Sequence, residues 1–182
     1  MLTELARSLE QGRWGLLRAR QLAAEIVSCK AAVKALVAVM FSESPELRQR
    51  SADVARRMTD SDSKVLWPYA EELAGLLAGL SPGESRTRGH LGLVVARVAH
   101  TRDQRLRAAR LMELLIADES NVVHCSGVEG IGLLACDESS LREVAAEKID
   151  AALRSGTPAM KARARLAGRR LEKARKLARD LG

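Results

Sequence analysis

The stretch LLIADESNVVHCSGVEGI at residues 114–131 decides the fold. Its apolar beginning ends at Asp118, and Val123-His124 opens a second apolar stretch with helical spacing. This pattern predicts helices over residues 102–117 and 122–135, separated by a turn of a few residues. Because so short a connection keeps sequence neighbours together, the two helices should pack antiparallel.

The opening of the second helix recurs along the chain. The second residue of each opening is basic, and these residues lie 40, 36 and 37 positions apart: Arg48, Arg88, His124 and Lys161. A period in this range holds two antiparallel helices and their turns, which is the unit of an α-solenoid. Such units present a surface and seldom contain an active site.

Helical periodicity extends along nearly the whole chain. Apolar residues make up 47% of the sequence and aromatic residues only 2%, which favours helix-on-helix packing over a β-sandwich. Short turns divide the chain into ten helices in five antiparallel pairs, including a long helix over residues 64–80. We predict one all-α domain over residues 1–182, a right-handed α-solenoid. Residues 1–29 would form an N-terminal capping pair, residues 30–135 the central repeats and residues 138–182 a final pair.

The stretch at residues 114–131 resembles a HEAT repeat. HEAT units place an Asp at the turn between their helices and a Val-Arg pair at the start of the second helix. Here Asp118 stands at the turn, and Val123-His124 stands at the position of the Val-Arg pair. Pro68 is similar to the proline within the first helix of HEAT units, where the ring removes a backbone donor and bends the helix. The resemblance, to HEAT or armadillo-like repeats, covers most of the chain from about residue 30 onward.

The repeats depart from the HEAT pattern where successive units are tied together. His124 stands where the family prefers Arg, and three turn positions lack the expected Asp: Ser42, Pro82 and Ser155. The resemblance therefore implies an incomplete Asp–Arg ladder.

Two basic columns at the starts of the second helices are candidate partner-binding residues. The first is Arg48, Arg88, His124 and Lys161, and the second, two residues on, is Arg50, His90 and Arg163, with Ser126 between them. Stacking would align them along one edge of the inner, concave face, where Arg can hold phosphates or an acidic peptide. In the alternative interpretation, the first column pairs with acidic turn residues of the next repeat. The repeat pattern does not explain the second column, which is therefore the stronger candidate.

The sequence carries no enzyme or metal motif. Cys29, Cys125 and Cys136 lack CxxC spacing, and the adjacent His124 and Cys125 diverge by about 100° on a helix. A glycine-rich phosphate loop, a nucleophile elbow and an HExxH motif are absent. We predict no catalytic residue, metal or cofactor, and interpret the cysteines as buried small hydrophobes in a reducing compartment.

The charge is concentrated at one end of the chain. The formal net charge is +7, and residues 160–179 hold nine Lys or Arg against a single acidic residue, Glu172. This final helix is either a solvated cap or a polyanion site. The first residues lack the pattern of a signal peptide, and no apolar run could span a bilayer, so we expect a soluble cytoplasmic protein.

These observations favour a non-catalytic interaction module that binds a protein partner or acidic segment on its concave face. One alternative is a nucleic-acid-binding protein that uses the basic edge and the final helix. Another is a HEAT-like DNA glycosylase, which would use aromatic residues and a carboxylate in the groove. No Trp-plus-Asp cluster for that chemistry can be assigned from the sequence.

Overall fold

The computed structural model describes residues 2–180. Within this range ten α-helices and two 3-10 helices follow one another without a strand, so the all-α prediction is confirmed. The α-helices are α1 (Leu2–Glu10), α2 (Leu16–Ile26), α3 (Lys30–Met40), α4 (Pro45–Ser61), α5 (Ala70–Gly79), α6 (Ser85–Val98), α7 (Arg102–Ile116), α8 (Asn121–Asp137), α9 (Arg142–Ser155) and α10 (Pro158–Asp180). The 3-10 helices are Lys64–Tyr69 and Ser139–Leu141.

The even-numbered helices lie side by side. Helix α2 packs on α4, α4 on α6, α6 on α8, and α8 on α10. Helices α3, α5, α7 and α9 each pack on the even-numbered helix that follows. A single cluster of buried apolar side chains extends from Leu5 to Leu171. The even-numbered helices are the second helices of the predicted pairs. One side of each second helix therefore packs against the next second helix.

The first two helices do not form the predicted antiparallel pair. Helix α1 packs on α3 and α4, α2 packs on α4 and α3, and the two have at most a marginal contact with each other. Gly12 has a φ of +77°, a conformation that glycine adopts without steric cost, and Gly15 is extended. The connection therefore does not close a tight hairpin, and the prediction of five pairs is wrong in its first unit.

The predicted helix over residues 64–80 is divided at its proline. Lys64–Tyr69 is a 3-10 helix, and the α-helical part begins only at Ala70. Pro68 has no backbone N–H to donate and its ring clashes with the preceding turn, so regular α-helical bonding is lost there.

Local sequence signals explain where two of the helices start. The Ser44 side chain accepts a hydrogen bond from the Leu47 backbone N–H, and Pro45 occupies the first turn of α4. Thr101 and Gln104 form a reciprocal capping box at the start of α7. Among the described residues, no helix combines the length and apolarity that crossing a membrane requires.

Candidate binding site on the second helices

Two arginines of the first basic column join neighbouring repeats. Arg48 donates to both oxygens of Glu84, at 2.9 and 2.7 Å, and Arg88 donates to Asp118. Both acidic residues lie at the turn before the next second helix, as the alternative interpretation of this column requires. Glu84 follows Pro82 by two residues, so the ladder has a rung that the HEAT pattern did not predict.

The ladder does not continue through the other two residues of the first column. Neither His124 nor Lys161 has an acidic partner within 4 Å in the part of the chain that the structure describes. Burial lowers the pKa of His124, while the charge of Asp118 opposes this shift. The turn before α10 carries Ser155 and Gly156 and offers no carboxylate to complete a rung.

Arg50, in the second column, is held from several sides. It donates to the Leu9 carbonyl at 2.5 Å and to the Glu10 carbonyl at 3.1 Å, and its guanidinium lies 5.3 Å from the Trp14 ring centroid. It also pairs with Glu46 one turn earlier on α4. Arg50 therefore anchors the end of α1 on α4, and much of its hydrogen-bonding capacity is already used within the protein.

His90 and Asp53 form a buried polar contact between α6 and α4. Asp53 is 7% exposed, and its oxygens accept hydrogen bonds from Trp14 Nε1 at 3.3 Å and Arg57 Nε at 3.2 Å. His90 Nδ1 lies 3.8 Å from Asp53 and 3.4 Å from Arg56 Nη1. Burial lowers the pKa of His90 to about 4, although Asp53 opposes this shift. A Trp–Asp pair thus exists, although none could be assigned from the sequence.

Arg163 belongs to a different cluster, which we call the Glu129 clamp: Glu129, Arg163 and Arg170. Glu129 lies on α8 and is 3% exposed, and its two oxygens accept hydrogen bonds from Arg163 at 3.0 Å and Arg170 at 3.1 Å. The two arginine side chains remain 42% and 38% exposed. A buried carboxylate therefore orients two guanidinium groups of α10 that still reach solvent.

A third group of charges joins α4 to α6. Arg97 pairs with Asp60 at 2.6 Å and also donates to the Thr59 hydroxyl and the Arg56 carbonyl, each at 3.3 Å. Burial lowers the pKa of Arg97, while Asp60 opposes the shift. A cavity of about 350 Å³ beside this pair is lined in part by Arg97, Arg170 and Asp60.

Most of these residues were missed by the sequence analysis, although the repeat period identifies them. The offsets of 40, 36 and 37 residues, applied from Asp53, reach Glu129, and applied from Arg57 they reach Arg97 and Arg170. The two basic columns lie in the first two turns of each second helix, whereas Asp53, Arg97 and Glu129 lie further along it. We call the resulting polar surface the second-helix face; its members are Arg50, Asp53, Arg56, Arg57, Asp60, His90, Arg97, Glu129, Arg163 and Arg170.

The cysteines differ from their predicted role. Cys29 is exposed, and Cys125 and Cys136 are partly buried, so the interpretation as buried hydrophobes is wrong for Cys29. Burial raises the pKa of the Cys125 and Cys136 thiols. Within residues 2–180, no three His, Cys, Asp or Glu side chains lie together as a metal site would require.

Comparisons with known proteins leave the geometry as the only basis for assigning a role. No protein-family profile, curated protein or solved structure matches the chain.

Proposed function

We propose that the protein is a HEAT-like, right-handed α-solenoid whose second-helix face is its inner, concave surface and binds an acidic segment of a protein partner. The Glu129 clamp is the observation that carries this proposal. Glu129 is buried, so it contributes little charge at the surface, yet it holds Arg163 and Arg170 in fixed orientations. Oriented guanidinium groups lose less freedom when a carboxylate binds, which favours recognition.

The carboxylates of the second-helix face favour a peptide over a nucleic acid. Asp53, Asp60 and Glu129 lie between the arginines of this face. A continuous phosphate backbone that followed the face would pass the negative charge of Asp60, whose side chain is 43% exposed. An acidic peptide can place separate carboxylates on the arginines while uncharged residues pass Asp53 and Asp60.

The contact between Trp14 and Asp53 supports a non-catalytic role. Asp53 is the carboxylate nearest to Trp14, and both of its oxygens already accept hydrogen bonds from protein groups. A carboxylate that polarises or attacks a substrate needs an oxygen within reach of it. We therefore propose that Trp14 and Asp53 join the N-terminal segment to α4 and do not act on a substrate.

The test compares two sides of the same helix by fluorescence anisotropy with a labelled Asp/Glu-rich peptide. The clamp variant is Glu129→Gln/Arg163→Gln/Arg170→Gln, which leaves no buried carboxylate unpaired. The control, Arg165→Gln/Arg169→Gln, changes two exposed arginines of α10. We expect the clamp variant to weaken binding about tenfold or more, and the control to stay within about twofold.

The clamp variant and the control change the net charge of the protein by different amounts, which separates a specific effect from a general electrostatic one. The clamp variant lowers the net charge by one and the control lowers it by two. A nonspecific electrostatic effect would therefore weaken the control more. Equal or greater loss in the control would refute the proposed surface.

One observation favours nucleic acid as a second candidate ligand. Helix α10 exposes basic residues that pair with no carboxylate within 4 Å in the described part of the chain: Arg165, Arg169, Lys173, Lys176 and Arg179. Such a stripe could follow phosphates, and binding would fall steeply between low and moderate salt. In a gel shift with duplex DNA at low salt, this candidate requires Arg165→Gln/Arg169→Gln to lose binding and the clamp variant to retain it.

A further inference from the structure

Arg56 differs from its neighbours on the second-helix face because it has no carboxylate partner. Arg57, Arg97, Arg163 and Arg170 each lie within 4 Å of an Asp or Glu oxygen. Arg56, in the second half of α4, forms no such pair among residues 2–180. Its positive charge is therefore not locally neutralised.

The polar atoms of Arg56 are also incompletely satisfied. Its Nε is buried and makes no hydrogen bond, and its Nη1 faces His90 Nδ1 at 3.4 Å. A guanidinium can only donate, so His90 Nδ1 accepts and the ring is neutral, with its proton on Nε2. The contact supplies no negative charge. A buried donor without a partner is uncommon in folded proteins and calls for an explanation.

The charges around Arg56 further disfavour its positive charge. Burial lowers the pKa of Arg56, and the nearby charges of Arg57 and Arg163 lower it further. Glu129 and Asp60 act in the opposite direction, but both already pair with other arginines. An anion beside Arg56 would relieve this repulsion.

We infer that Arg56 and Arg163 form a binding site for the phosphoryl group of a phosphorylated side chain. The inference rests on the proposed function, since the phosphorylated side chain would belong to the acidic segment. A phosphoryl group carries nearly two negative charges and three acceptor oxygens, whereas a carboxylate carries one charge. It can therefore engage Arg56 while a second oxygen meets the exposed part of Arg163, and clusters of arginine are a recurrent means of recognising such groups.

The test uses one acidic peptide in three forms, with phosphoserine, serine or glutamate at its centre. In fluorescence anisotropy, we expect the phosphoserine form to bind the wild-type protein about tenfold more tightly than the other two. Arg56→Met should remove this preference, so that the phosphoserine and serine forms bind the variant with similar affinity. Arg110→Met, which alters an exposed arginine of α7 away from the face, should keep the preference. Equal affinities for the three peptides, or a preference that survives in Arg56→Met, would overturn the inference.

A melting experiment without peptide checks that the variants fold and reports on the same site. Arg56→Met should melt at or above the wild-type temperature, because it removes a partly buried charge that has no carboxylate partner. Inorganic phosphate, at matched ionic strength against chloride, should raise the melting temperature of wild type and Arg110→Met more than that of Arg56→Met. An equal rise in all three would reflect only the general stabilising effect of phosphate and would contradict a site at Arg56.

The two proposals fail in different ways. If the phosphoserine preference is absent but the clamp variant still loses the serine form of the peptide, the phosphoryl site is wrong and the acidic-segment proposal stands. If no form of the peptide binds the wild-type protein, both are wrong.

Discussion

At the scale of single residues, the polar side chains of the second-helix face hold the second helices together. His90 of α6 contacts Asp53 and Arg56 of α4, and Arg163 of α10 contacts Glu129 of α8. Each of these contacts thus joins neighbouring helices. Reversing Arg50, His90 and Arg163 to Glu would therefore disturb the packing of the helices as well as the surface.

His90 makes folding stability depend on pH. Its pKa is about 4 in the folded protein, below the ordinary value of 6.5, because burial disfavours the charged ring. The unfolded chain therefore binds more protons between these values, and stability is full above about pH 6.5 and falls as the pH drops towards 4. From pH 7 to pH 5, we expect His90 to account for a loss of about 2 kcal/mol in the free energy of unfolding.

Urea denaturation of wild type and His90→Gln at pH 7 and pH 5 measures this contribution. The His90→Gln variant should lose about 2 kcal/mol less than wild type over that interval, since only the titration of His90 has been removed. Identical losses in the two proteins would show that His90 does not titrate as its buried position requires.

At the scale of helices, a glycine brings α7 and α8 close together. A Cβ at Gly127 would lie 2.8 Å from the Ile116 backbone nitrogen and 2.9 Å from the Met112 carbonyl oxygen. These are backbone atoms, which cannot move aside as a side chain can. Only glycine lets the two helices come this close. The short turn that follows α7 and Gly127 of α8 therefore both contribute to the close packing of these helices.

Two alanine substitutions separate packing from helix propensity. Gly127→Ala should lower the free energy of unfolding by about 1–3 kcal/mol, because α7 and α8 must separate. Gly75→Ala, within α5, has no atom within 4 Å of the new Cβ and should raise stability by about 0.5–1 kcal/mol through helix propensity alone. Chemical denaturation of both variants tests the opposite signs, and destabilisation by Gly75→Ala would refute this account.

At the scale of the whole molecule, two arginine–carboxylate rungs tie successive pairs of helices. Arg88 and Asp118 are 12% and 14% exposed, so water screens this pair less than it screens a surface pair. Arg107 and Glu71 also join neighbouring pairs, at 2.5 Å, but are 57% and 58% exposed. The two pairs have the same chemistry and differ in burial, so they form a matched comparison.

Double-mutant cycles should rank these two pairs by burial. With Arg88→Met and Asp118→Asn, we expect a coupling free energy of about 1–2 kcal/mol; asparagine keeps the acceptor for the Ser120 backbone N–H. With Arg107→Met and Glu71→Gln, the coupling should stay below about 0.5 kcal/mol. Similar values for both cycles would contradict a special role for the buried rung.

The sequence by itself determined the helices and their period, because helix starts and stops depend on local chemistry. Ser44-Pro45 and Thr101 mark helix starts that the structure has, and the repeat spacing aligns Arg48 with Arg88. The apolar pattern of residues 64–80 continues through Pro68, so this pattern alone did not predict that the helix is divided there.

Only the tertiary structure decided which basic residues pair with a carboxylate and which do not. Glu129 pairs with Arg163 and Arg170, which are 34 and 41 residues away, and Arg50 meets the carbonyls at the end of α1, outside the repeat. These pairings depend on how far one helix slides along the next, and that register is fixed by the packing of side chains in the core. The same packing leaves Arg56 without a carboxylate, which no spacing in the sequence indicates.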